Sequence, residues 1–181
     1  MSVAGTWLQK RNLTEQITIL VGANILLIAC AQIRIPLWYT PIPITGQTFG
    51  VLLTGALWGG RYGALVVGMY LFEGMAGMPV FAGGRDVQRI VGPTGGFLIS
   101  FIPAAFIAGY LLERMRRLSL YKVFLALLAA NVVIYAIGLP WLAIYVGWNN
   151  TLAMGLLPFI PGDLIKIALA ASMCCKILNK Q

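Results

Sequence analysis

Between Lys122 and Asp163 the chain reads VFLALLAANVVIYAIGLPWLAIYVGWNNTLAMGLLPFIPG, the forty residues Val123 to Gly162, without a single charge. A helix of about 20 apolar residues crosses the hydrocarbon core of a bilayer, so this run is too long for one span. Gly138, Pro140 and the polar Trp148-Asn149-Asn150 are expected to break it into a fifth span, an interfacial loop and the approach to a sixth. Span six then starts around Pro158–Gly162 and ends near Lys176.

The same reading extends towards the N-terminus. Ile17–Ile33 is uncharged and forms span one; it is too long for the apolar region of a cleavable signal. Arg34 and the segment Ile35–Thr45, with Pro36, Pro41 and Pro43, cannot continue a helix and predict a structured loop. Spans two and three follow at about Gln47–Trp58 and Gly63–Gly74, joined by the glycine-rich turn Gly59-Gly60-Arg61-Tyr62-Gly63. Both are short, so their ends must rest against other protein or the interface. Met75–Gly92 is the longest irregular segment, span four runs from about Pro93 to Leu112, and a basic turn follows from Glu113 to Lys122.

Composition agrees. Sixty per cent of the 181 residues are apolar, 10% are charged, and mean hydropathy is +0.87. Soluble domains carry about a quarter charged residues, so a polar surface cannot cover this chain. There is no histidine, which removes Ser–His hydrolysis, histidine proton relays and imidazole zinc sites. The five acids, Glu15, Glu73, Asp86, Glu113 and Asp163, are too scattered for a dimetal carboxylate site. Cys30, Cys174 and Cys175 lack C-x-x-C spacing and read as small buried hydrophobes. No G-x-S-x-G motif suggests an intramembrane hydrolase, and no G-x-x-x-x-G-K-[ST] loop binds a nucleotide. An enzyme is therefore not expected, no cofactor or metal is expected, and any ATP-driven role needs another subunit.

The net charge of +8 is a matter of orientation and not of nucleic-acid binding, because the basic residues lie between apolar runs. With both termini cytoplasmic, Lys10, Arg11, Arg61, Arg114, Arg116, Arg117, Lys122, Lys176 and Lys180 fall inside. Only Arg34, Arg85 and Arg89 fall outside, and Lys166 lies within span six. That nine-to-three bias satisfies the positive-inside rule. The fold expected is an all-α integral membrane protein of six transmembrane helices, a single domain over residues 1–181.

In that orientation the first loop, the Met75–Gly92 loop and the start of span six share the outer face. Asp163 and Lys166 are three residues apart and share a helix face. Charges within a span are costly and usually face a cavity or a partner. They form either a structural ion pair, with Asp163 capping the helix, or a ligand site; their place among the outer-face segments favours the second. Glu73 at the outer end of span three could join the same cavity or simply end the helix at the interface. Thr45 and Gln47 could meet a ligand or cap their own turn. The turn Gly92-Pro93-Thr94-Gly95-Gly96 offers backbone N–H groups at the start of span four. Of Trp38, Tyr39, Phe72, Phe81 and Phe97, one or two are expected in a pocket and the rest at the interface.

These segments carry a resemblance. Pro41-Ile42-Pro43-Ile44-Thr45-Gly46-Gln47-Thr48-Phe49, Gly77-Met78-Pro79-Val80-Phe81-Ala82-Gly83-Gly84, Gly92-Pro93-Thr94-Gly95-Gly96-Phe97 and Pro161-Gly162-Asp163-Leu164-Ile165-Lys166 occur in this order. Together they closely resemble the BioY family, the biotin-specific substrate-binding (S) components of prokaryotic energy-coupling factor (ECF) transporters. The resemblance implies a plasma-membrane protein with a biotin pocket near the outer face, covered by the first and third outer loops. It also implies a transmembrane T component and two cytoplasmic ABC-type ATPases as partners, and Asp163 and Lys166 as biotin contacts. Asp163 is assigned to the ureido N–H side and Lys166 or Arg85 to an acceptor oxygen. Span one departs from the small-xxx-small spacing by which S components dock, since Gly22 and Ala23 face Leu26 and Leu27. An S component for another vitamin and a stand-alone secondary biotin transporter are the alternatives.

Overall fold

A computed structural model of the chain describes residues 11–83 and 88–178. Among them are eight helices and one two-stranded ribbon: α1 (Leu13–Gln32), β1 (Arg34–Ile35), β2 (Ile44–Thr45), α2 (Gln47–Trp58), α3 (Gly60–Met75), α4 (Gln88–Val91), α5 (Gly95–Glu113), α6 (Leu120–Val146), α7 (Trp148–Gly155) and α8 (Ile160–Leu178). The six expected spans correspond to α1, α2, α3, α5, α6 and α8. By length and apolarity α1, α5 and α6 can each cross a bilayer alone, and α7 with α8 passes the same test as a pair bent by 47°.

The short spans are admissible because protein surrounds them. In the 12-residue α2 the run Gly50 to Ala56 is buried without interruption, so no lipid-facing side has to match the bilayer. The turn after it is tighter than expected. Gly59 alone breaks the helix, at φ +84°, and α3 starts at Gly60. Three backbones meet there: a side-chain carbon on Gly109 would lie 2.2 Å from the Gly60 nitrogen, and one on Gly55 would lie 2.2 Å from the Ala105 carbonyl oxygen. At the same end the Glu113 carboxylate accepts the Gly60 N–H at 2.9 Å, satisfying one of the donors at the start of α3.

Gly138 and Pro140 do not break the fifth span. α6 runs through both for 27 residues. Gly138 makes room for a neighbour instead, since a side-chain carbon there would lie 2.4 Å from the Phe97 ring, while the Trp141 Cβ occupies the space a side chain on Gly96 would need. These interlocked helices hold the bundle around Pro140, as membrane helices commonly tolerate a proline. The expected loop at Trp148-Asn149-Asn150 is likewise helical: Gly147, at φ +77°, ends α6 and α7 begins at Trp148.

The proline-rich first loop is closed at its base by Arg34 opposite Thr45 and Ile35 opposite Ile44. The Gly46 N–H donates to the Ile33 carbonyl at 3.0 Å. The loop's tip is tied to α7, where the Thr40 hydroxyl donates to the Met154 carbonyl at 2.7 Å. The segment before α5 is tied to α6: the Trp141 indole donates to the Gly92 carbonyl at 2.9 Å and the Tyr145 hydroxyl to the Val91 carbonyl. Both outer segments are thereby fixed over the same end of the bundle.

Candidate ligand-binding site

Beneath those segments lies a cavity of about 650 Å3 including its open mouth. Most of its wall is apolar, with Phe81, Phe97, Phe101, Ile134 and Phe159 prominent. Phe97 meets Tyr135 edge-on at 6.3 Å, and Phe81 meets the buried Tyr70 edge-on at 5.4 Å. Trp38, by contrast, is 96% exposed at the tip of the first loop, and Tyr39 and Phe72 are exposed as well.

The polar floor is built by three helices. Asp163, 5% exposed in the first turn of α8, accepts from Lys166 Nζ on Oδ1 at 3.0 Å. Its Oδ2 accepts from the Tyr135 hydroxyl at 2.5 Å and from Asn131 Nδ2 at 3.2 Å, both on α6. Lys166 Nζ also donates to Thr48 Oγ1 on α2 at 3.0 Å. A charge placed this deep is expensive unless paired and hydrogen-bonded, and here both members of the pair are. Asp163 does not serve as a helix cap: its carboxylate accepts from side chains, two of them on α6.

Six of the eight residues anticipated from the sequence line the cavity: Thr45, Gln47, Phe81, Thr94, Asp163 and Lys166. Gln47 is committed to its neighbours, since Oε1 accepts from Thr45 Oγ1 at 3.0 Å and Nε2 donates to the Tyr70 hydroxyl at 2.6 Å. The Thr94 hydroxyl donates to the Arg89 carbonyl at 2.8 Å and shapes the loop. Glu73 does not line the cavity; it turns to α1 and accepts from Asn24 Nδ2 at 2.5 Å. Arg85 lies outside the described residues. The cation that the described part of this segment brings to the cavity is Arg89, whose guanidinium lies close to that of Arg34 beside Gly83.

Thr48, Arg89, Tyr135 and Asn131 were not anticipated as site residues. Thr48 follows Gln47 directly and could have been included with it. The other three had no local signal, because their meaning comes from helices and loops that meet only in the fold. Among the described residues the lining carries the cations Arg89 and Lys166 and the carboxylate Asp163. An apolar chamber lined by an arginine, with a floor of paired donors and acceptors, suits a small anionic ligand with an apolar body and a polar ring.

A six-helix membrane bundle with a ligand chamber at one end has the architecture of a substrate-binding membrane component. The BioY family model matches residues 4–180, and the chain belongs to that family of transporters. It is 42% identical over 131 residues to the probable biotin transporter BioY of Pyrococcus horikoshii, covering 72% of this chain and 76% of that one. It is 38% identical over 158 residues to the biotin transporter BioY of Thermotoga maritima, covering 84% and 89%. Among solved structures it matches the S-component for biotin from an ECF-type ABC transporter, with a TM-score of 0.85 and 26% identity over 94% of this chain and 95% of that chain. The chain is accordingly a multi-pass membrane protein with the S-component fold.

Proposed function

We propose that this chain binds biotin at the outer face of a prokaryotic plasma membrane and mediates its uptake as the S component of an ATP-driven ECF transporter. The observation that carries this reading is the buried Asp163–Lys166 pair on the floor of an apolar chamber that also presents Arg89. Biotin has an apolar bicyclic body, a ureido ring with donors and an acceptor, and an anionic valerate. The ureido ring sits on the Asp163–Lys166 floor, the bicycle rests among Phe81, Phe97 and Phe159, and the carboxylate extends to Arg89. An arginine forms a bidentate pair with a carboxylate, which suits this end of the ligand. Thr45, Gln47 and Thr94 shape the wall; Glu73 braces α3 against α1.

Energy is supplied by a transmembrane T component and two cytoplasmic ABC-type ATPases. Nine of the thirteen basic residues on the cytoplasmic side support the orientation that places the chamber outside. The test is retention of labelled biotin by the purified chain. Biotin is expected to displace the label, and biotin methyl ester, which has lost the charge, is expected to do so more weakly by roughly one to two decades. In Arg89→Gln the acid and the ester should compete almost equally. Absence of saturable retention would overturn the reading.

A further inference from the structure

We infer that the Asp163–Lys166 pair reads only one N–H/C=O edge of its ligand, and that Tyr135 and Asn131 are positioning residues that impose this choice. The inference rests on the biotin reading and adds to it which part of the ring is recognised. Each carboxylate oxygen offers about two acceptor sites. On Oδ2 both are taken, by the Tyr135 hydroxyl at 2.5 Å and Asn131 Nδ2 at 3.2 Å. Asn131 is 4% exposed and Asp163 5%, so water does not compete for these bonds. Oδ1 accepts from Lys166 at 3.0 Å, and its second site is held only by the Thr48 hydroxyl at 3.5 Å, a long, weak bond that a ligand N–H can displace. Lys166 in turn has three N–H bonds; among the described residues Asp163 and Thr48 take two, and one remains.

The floor thus presents one weakly held acceptor beside one available donor, on atoms 3.0 Å apart. Asp163, Lys166, Tyr135 and Thr48 all line the cavity, so this edge borders the chamber. Its complement is an N–H and a C=O held cis, the edge of a lactam or of one side of a cyclic urea. The ureido ring of biotin has two such edges related by its carbonyl, and only one of them fits the floor at a time. The two ring nitrogens are therefore unequal in this site.

The experiment uses two biotin analogues, each with one ureido N–H replaced by CH2, and competes them against labelled biotin on the full chain. One analogue should lose about 10- to 150-fold in affinity, the cost of a hydrogen bond to a charged acceptor, and the other at least about tenfold less. In Tyr135→Phe an acceptor site opens on Oδ2 and the carboxylate is freer to turn, so the two analogues should converge to within about threefold. Equal losses in the wild-type chain, with biotin itself still bound, overturn the single-edge inference alone. A Tyr135→Phe chain that melts earlier but keeps the wild-type ratio makes Tyr135 structural and overturns its positioning role. Failure of unmodified biotin to bind removes the underlying reading and this inference with it.

Discussion

At the scale of residues, the site turns on how many donors a buried carboxylate can hold. Asp163→Asn preserves size but turns one acceptor oxygen into a donor in a nest of donors from Lys166, Tyr135 and Asn131. Loss of a charge-assisted bond costs about 1.5–3 kcal/mol, so biotin affinity should fall by roughly one to two decades. Lys166→Met should weaken binding and also lower the melting temperature without ligand, because Asp163 loses its counter-charge. A pair with a purely structural role would give two unstable variants whose folded fraction binds biotin normally, so affinity and melting temperature are to be measured together. The pair itself was legible in the sequence, since two opposite charges three apart inside an apolar span have few other uses. Arg89 was not: it sits in the four-residue α4, too short for any periodic signal, and nothing in the loop's composition separates it from Arg85. Tyr135 was equally hidden, as one aromatic in an uncharged run, 28 residues from the carboxylate it holds. Glu73 was placed correctly at the end of a helix, but its partner Asn24 lies 49 residues away and no local pattern links them.

At the scale of elements, glycines decide how closely helices approach. Gly109→Ala drives a methyl into the backbone at Gly59 and Gly60, which cannot move aside as a side chain could. Overpacking typically costs about 1–3 kcal/mol, and this variant should lie at or beyond the upper end, read as a lower melting temperature in detergent. Gly22→Ala is the control: nothing lies within 4 Å of the added carbon, and within a helix the change should leave the melting temperature unchanged or raise it. Gly138→Ala is expected to act on function, because the methyl meets the Phe97 ring, and Phe97 lines the chamber. Biotin affinity should drop more than stability does; an unchanged affinity would show that Phe97 has room to shift without touching the ligand. The same residue explains why span five was misjudged. Glycine and proline two apart read locally as a helix end, whereas their physical reason lies on α5, in the ring that Gly138 admits. The ends of α2 and α8 were legible because their signals are local: Gly59 stops one helix, and Pro161 within the first turn suits the start of the other.

At the scale of the whole molecule, six spans and the distribution of basic residues place the chamber outside and the α5–α6 turn inside. Cysteine labelling in cells should find position 116 protected from an external reagent and the loop after α3 accessible; external labelling at 116 would invert the topology. Membership of a transporter family together with a sequence that lacks a phosphate-binding loop predicts division of labour. The isolated chain should bind ligand and hydrolyse no ATP, and vesicles should accumulate biotin with ATP only when a transmembrane coupling subunit and ATPases are added. ATP hydrolysis by the chain alone would contradict that division. The membrane architecture was legible because apolar run length and charge bias are properties of the whole sequence; the chamber's floor was not, because it is assembled from α2, α6 and α8. The most direct measurement is a calorimetric titration of the detergent-purified chain with biotin, run beside Asp163→Asn. The expected result is saturable binding at one site per chain, weakened by roughly one to two decades in the variant. Absence of saturable binding, or identical affinity in a folded Asp163→Asn chain, would contradict the assignment of the biotin site to the Asp163–Lys166 floor.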